Sequence, residues 1–264
     1  MHRSIVLLLA AALLLVAPQA SSSPPARDRP SCALQPRSPV TMTVDADDPA
    51  LVVGTEGSDV IEVLGGTHEV RTLGGNDAVC FVPGALVTGV DLGAGDDQVG
   101  LLNAAAATPH PLLQGGAGDD QIVATYDSTI DLDLFAGDLT AASADVTSTY
   151  AAEGFEDANA SSGVVTLKGT DAGNHLLVYA CTARVVAGRG ADTVRFVAVP
   201  AVPDFDPTPD CSGVHFHLSA LGGPGQDRLT GRRWSDLLIG GKGRDVVDGK
   251  GGNDICRAEV EQRC

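Results

Sequence analysis

Asp227, Asp236, Asp245 and Asp254 recur every nine residues, each closing a six-residue run that opens with glycine: GGPGQD from Gly222, GRRWSD from Gly231, GGKGRD from Gly240 and GKGGND from Gly249. A carboxylate beside bare backbone carbonyls is a set of hard oxygens. Calcium takes about six to eight such ligands in loose geometry. Gly223, Gly225, Gly241 and Gly243 stand at the second and fourth positions of their units. Glycine there lets the chain turn with positive φ and leaves its carbonyls uncovered.

These carboxylates need a scaffold, and the repeat supplies one. The three residues from the seventh position onward make a short strand whose middle side chain alone points inward, because strand side chains alternate faces. The inward residues are then Leu229, Leu238, Val247 and Cys256. A strict nine-residue period means a solenoid built from one small unit. If nine residues make half a coil, carboxylates eighteen apart stack on one edge, Asp227 on Asp245 and Asp236 on Asp254. At a strand spacing of roughly 4.8 Å such pairs repel unless a cation lies between them.

The same pattern runs upstream in worn form. Asp59, Asp77, Asp97, Asp120 and Asp192 take the sixth position of their units, followed two residues later by Ile61, Val79, Val99, Ile122 and Val194. Asn174 with Leu176, and His68 with Val70, occupy the same two places without a carboxylate. In the doublets Asp96-Asp97 and Asp119-Asp120, one residue is expected as ligand and one as exposed charge. A solvated turn aspartate with no metal is the alternative for each upstream position. Between 125 and 168 the repeat lapses, although Ile130, Leu132 and Leu134 alternate with Asp131 and Asp133 as in a strand, and elongated rungs are expected. Pro200, Pro203, Pro207 and Pro209 exclude a central strand from the stretch 199–212, which reads as a loop.

The units resemble the glycine-rich nonapeptides of the RTX, or haemolysin-type calcium-binding, β-roll family. The Gly222 and Gly240 units match its pattern Gly-Gly-x-Gly-x-Asp-x-apolar-x at every defined position. The resemblance implies an all-β fold, a right-handed parallel β-roll or β-helix solenoid, with calcium lined along both edges. The Gly231 unit departs through Arg232, Arg233 and Trp234, which predicts a poorer site. Lys250 is a milder departure, since Gly251 and Gly252 follow it. Gly154-Phe155-Glu156 is similar to a spacer that such arrays insert before a fresh unit.

Composition fits a thin coil. Only 4% of residues are aromatic, whereas a globular core normally buries them in quantity. Arg3, the apolar run from Ile5 to Val16 and the small residues after it have the order of a secretory signal peptide, placed at 1–22. Residues 23–48 read as a flexible lead-in, and 49–264 as one elongated roll. Past the signal no membrane span is expected, and the predicted location is extracellular.

Six cysteines in an exported chain point to disulfides. Cys256 with Cys264 is the first expected pair and Cys181 with Cys211 the second. The formal net charge of −17 argues against nucleic acid or anionic lipid as partner and for a cation, leaving an unidentified extracellular or cell-surface partner. HExxH and GxSxG motifs are absent, so no enzyme is expected. The competing reading is a polysaccharide lyase or epimerase of the β-helix type, with Asp131, Asp133 and Lys168 as the residues that would carry it. His215 and His217, flanking Phe216, read as solvent-facing rather than as a metal pair.

Overall fold

The computed structural model describes residues 39–197 and 217–264. Within them every element is a strand. The chain alternates between two sheets through β1 (Met42–Val44), β2 (Leu51–Val53), β3 (Val60–Val63), β4 (Gly66–Arg71), β5 (Ala78–Phe81), β6 (Ala85–Asp91) and β7 (Gln98–Leu102). It continues with β8 (Ala105–Ala106), β9 (Leu112–Gln114), β10 (Gln121–Thr125), β11 (Thr129–Asp133), β12 (Asp138–Ala142) and β13 (Thr147–Glu153). Two long strands follow, β14 (Asp157–Lys168) and β15 (His175–Val186). The remainder are β16 (Thr193–Phe196), β17 (His217–Gly225), β18 (Arg228–Thr230), β19 (Asp236–Gly243), β20 (Val246–Asp248), β21 (Ile255–Arg257) and β22 (Val260–Gln262).

One sheet is parallel throughout. Its order is β1, β3, β5, β7, β10, the first halves of β14 and β15, then β16, β18, β20 and β22. The register carries Ile61 onto Val79, Val99, Ile122, Ala158, Leu176, Val194, Leu229 and Val247 in turn, and all of them are buried. Every inward residue expected of that sheet therefore points into one continuous core. Leu238 joins it from the other sheet, and Cys256 packs at its end. The parallel solenoid read from the repeats is the fold.

Two boundaries differ from the sequence reading. The roll begins inside the expected lead-in, because Met42, Thr43 and Val44 pair with Ile61, Glu62 and Val63. The stretch 125–168 is not a set of elongated rungs. β11, β12 and β13 form an antiparallel meander, joined at its ends to β14 and β9 by parallel pairing. The second sheet thus holds two strands more than the first over this stretch, a difference of roughly 10 Å at one strand spacing each. Tyr126 and Tyr150 occupy the interior beside the meander, and both hydroxyls donate to the Ala104 carbonyl, at 2.9 and 3.0 Å. A wider coil is where a thin roll has room for large rings.

Cys256 and Cys264 form a disulfide with a Cα separation of 6.0 Å, as expected. Cys80 and Cys181 are disulfide-bonded as well. The expected signal peptide, the loop 199–212, Cys32, Cys211, His215, Phe216 and the side chain of His217 lie outside the described residues.

Candidate metal centre

The sixth-position residues line up along one edge of the roll, at the turns that lead into the parallel sheet. Each reaches forward to hold the next. The Asp59 N–H donates to Asp77 Oδ1 at 2.7 Å, Asp77 N–H to Asp97 Oδ1 at 2.7 Å, and Asp97 N–H to Asp120 Oδ1 at 2.9 Å. Asp120 N–H then meets Glu156 Oε2 at 3.0 Å. The ladder resumes from Asn174 N–H to Asp192 Oδ1 at 2.9 Å, Asp192 to Asp227 at 3.0 Å and Asp227 to Asp245 at 2.9 Å. Asp245 N–H ends on Glu259 Oε2 at 2.9 Å.

On the opposite edge the ladder is short. Asp236 N–H donates to Asp254 Oδ1 at 2.9 Å, but upstream of Asp236 the register presents Leu218 and Ala183. His68, at the equivalent place farther up, is buried with Nδ1 3.0 Å from the Pro49 carbonyl. So the stacked pairs Asp227 with Asp245 and Asp236 with Asp254 are both brought together, while carboxylates line one edge far more than the other.

The ladder uses one oxygen of each carboxylate. The other, Oδ2 of Asp77, Asp97, Asp120, Asp192, Asp227, Asp245 and Asp254, is buried and has no hydrogen-bond donor. An unpaired ionised oxygen out of water is costly. Where the first position is glycine it leaves that oxygen room: a Cβ on Gly240 would lie 2.5 Å from Asp245 Oδ2, and one on Gly115 2.8 Å from Asp120 Oδ2. The second- and fourth-position glycines serve the stacking itself. A Cβ on Gly241 would land on the Gly223 carbonyl, and one on Gly243 on the Gly225 carbonyl, so only hydrogen fits between the rungs.

Electrostatics agree with geometry. Burial pushes the Asp97 carboxyl up to about 6, with Asp77 and Asp120 adding their charge. Burial also raises Asp120, beside Glu156, and Asp192, beside Asp227, to about 6 each. Asp77 and Asp227 are raised by the same cause. Asp236 rises to about 6 through burial and Asp254, against the opposing charge of Arg232. Such groups are poor anions alone and good ligands for a hard cation.

No group of three or more His, Cys, Asp or Glu side chains gathers around one point among the described residues. A cation in these turns would be held by stacked carboxylates and by turn carbonyls, the donor set that calcium accepts and zinc does not favour. Asp96 and Asp119 are exposed, whereas Asp97 and Asp120 are buried, so each doublet holds one exposed and one buried carboxylate. Glu156 and Glu259, which end the two halves of the ladder, were not among the sequence candidates. Glu156 had a signal in its Gly-Phe-Glu spacer; Glu259 had none, because no unit pattern surrounds it.

The competing catalytic cluster is tied up in a surface contact. Lys168 Nζ lies 3.0 Å from Asp133 Oδ2 and 4.8 Å from the centroid of the exposed Phe135 ring. Asp131 sits two residue pairs away, opposite Thr166. At the Gly231 turn, Arg232 sends Nη2 to the Ala180 carbonyl at 2.6 Å, and Arg233 covers the Trp234 ring at 4.9 Å. No helix of the described residues is long and apolar enough to cross a membrane.

No curated protein matches the chain. The family of the RTX calcium-binding nonapeptide repeat matches in four copies, over residues 112–125 and 221–256. The matched residues hold Asp120, Asp227, Asp236, Asp245 and Asp254, and the structure places Asp59, Asp77, Asp97 and Asp192, outside the match, on the same edge as Asp120, Asp227 and Asp245. Residues 112–125 and 221–256 carry RTX calcium-binding nonapeptide repeats, set in a parallel β-solenoid that continues through the unmatched turns.

Proposed function

We propose that the protein is a secreted calcium-binding roll with a structural, adhesive or envelope-associated role and no catalytic activity of its own. One observation carries this reading: the row of buried Oδ2 atoms with no donor, stacked rung on rung. Calcium bound there supplies the positive charge that the buried carboxylates lack. The chain's own contribution is to hold one oxygen of each carboxylate by a backbone N–H and to keep the other bare. Because binding of this kind favours the folded state, calcium and the fold support each other. The net charge of −17 adds a general reason for a cation.

The test is a calcium titration of the oxidised protein by far-UV circular dichroism, with magnesium as control. The expected result is a gain of β signal or of thermal stability with calcium alone, at about 10⁻⁴ to 10⁻³ M as for other extracellular modules. Equal response to both ions, or to neither, overturns the reading. Export is tested separately, by N-terminal sequencing of protein recovered outside the producing cell.

A further inference from the structure

The ten aspartate and asparagine residues at the sixth position divide into two kinds according to the residue four places earlier, at the second position of the unit. In seven turns that residue is left-handed: Leu73 (φ 78°), Gly93 (92°), Gly116 (115°), Gly188 (114°), Gly223 (121°), Gly241 (122°) and Lys250 (71°). These are the turns of Asp77, Asp97, Asp120, Asp192, Asp227, Asp245 and Asp254, whose Oδ2 has no donor. In the other three, Thr55, Thr170 and Arg232 are not left-handed, and their N–H turns inward onto the side chain. Thr55 N–H meets Asp59 Oδ2 at 2.7 Å, Thr170 N–H meets Asn174 Oδ1 at 2.8 Å and Arg232 N–H meets Asp236 Oδ2 at 2.6 Å.

The division has an order along the hydrogen-bonded ladders. Asp59 precedes Asp77, Asp97 and Asp120; Asn174 precedes Asp192, Asp227 and Asp245; Asp236 precedes Asp254. Each run of bare carboxylates starts at a self-satisfied turn, and the first two end on Glu156 and Glu259. Where the first turn lacks a carboxylate altogether, the amide fills the place: Asn174 Nδ2 donates to the Glu156 carbonyl at 2.6 Å and to Thr170 Oγ1 at 2.8 Å. Asp59 Oδ2 likewise takes the Thr55 hydroxyl at 3.0 Å. Asp236 keeps a bare Oδ1, since no turn N–H lies above it, but the Arg232 charge stands beside it.

We infer that the second-position residue decides whether a turn takes calcium, so that Asp59, Asn174 and Asp236 are metal-free caps that start three separate runs of calcium sites. The inference rests on the calcium reading proposed above. Its chemistry is a competition for one oxygen. A left-handed second residue aims its N–H away and leaves Oδ2 for a cation; any other conformation gives Oδ2 a permanent hydrogen bond and removes the need for charge.

Equilibrium dialysis of the full oxidised chain against calcium tests this by stoichiometry, with circular dichroism to show that each variant is folded. Asp59→Asn is expected to bind as many ions as the wild type, and Asp227→Asn to lose at least one. Asn174→Asp alone is expected to gain none, because Thr170 still closes the turn. Thr170→Gly with Asn174→Asp is expected to gain one ion, since the turn opens and a carboxylate then faces the Glu156 carbonyl. A lost ion in Asp59→Asn, or a gained ion in the single Asn174→Asp variant, overturns the inference; so does a folded double variant with no gain. A wild type that binds no calcium sinks the calcium reading itself, a different outcome from any of these.

Discussion

At the scale of single residues, the turns show what a nine-residue unit asks of its second position. Leu73 and Lys250 adopt the left-handed backbone that glycine holds elsewhere in the ladder. A side chain there costs about 1 kcal/mol or more through its Cβ. The Leu73 side chain is 44% exposed, so removing it sacrifices little burial. Leu73→Gly is therefore expected to stabilise the calcium-loaded protein by about 0.5–1 kcal/mol, net of the extra freedom glycine has when unfolded. Thermal melts of the two proteins decide it, and a lower melting temperature for the glycine variant refutes it. Lys250→Gly should gain less, because Lys250 Nζ also pairs with Asp248 at 2.9 Å.

At the scale of elements, a steric requirement and a ligand requirement separate cleanly. Gly241→Ala would drive a Cβ into the Gly223 carbonyl at a φ of 122°, with no metal involved. Its destabilisation, more than about 1 kcal/mol, is expected in urea unfolding both with calcium and with chelator. Asp227→Asn, in contrast, is expected to lose stability with calcium and little or none without it. Equal losses in both conditions for the aspartate variant would mean that its role is packing. The meander offers a third test. Tyr150 is fully buried, so Tyr150→Ala should cost about 3–5 kcal/mol, while Tyr150→Phe should cost about 1, because Tyr126 still donates to the Ala104 carbonyl.

Those same elements show what a sequence makes legible. Period and position identified the inward residues, the stacked aspartates and the terminal disulfide, because a solenoid repeats one local rule and each copy tests the others. The meander was hidden for a physical reason. Alternation along Thr129–Asp133 marks a strand, but says nothing about whether its neighbour runs parallel or antiparallel, and β12 and β13 alternate in the same way. Spacing hid part of the ladder too. Asp97 and Asp120 stand twenty-three apart, so their stacking is fixed by the register of β7 on β10 and not by any constant period. Whether a turn closes on itself depends on one φ angle, which Thr or Arg in place of Gly suggests and only the backbone settles.

At the scale of the whole molecule, the buried carboxylates couple the fold to protons, and on the proposed calcium reading they couple it to calcium with the opposite sign. Asp97, Asp120 and Asp192, each with a bare Oδ2, have folded values near 6, above the ordinary 3.8 of an exposed aspartate. A raised value means that the folded, metal-free chain holds protons that the unfolded chain has released, so the protonated form favours folding. That contribution is fully present below about pH 4 and is lost as pH rises through about 6. Asp248 works the other way: hydrogen bonds from Arg263 and Lys250 lower it to about 2, so its contribution fades only below the ordinary aspartate range. Between pH 4.5 and 7.5 the raised group dominates, and in chelator the melting temperature is expected to fall as pH rises. Saturating calcium reverses the slope, because the ion binds the deprotonated carboxylates and each proton lost between about pH 4 and 6 opens a ligand to it. Melting curves across this range, with and without calcium, should therefore cross. Parallel curves of the same sign would show that the ladder's carboxylates do not titrate against the ion, and that the fold draws its charge balance from elsewhere.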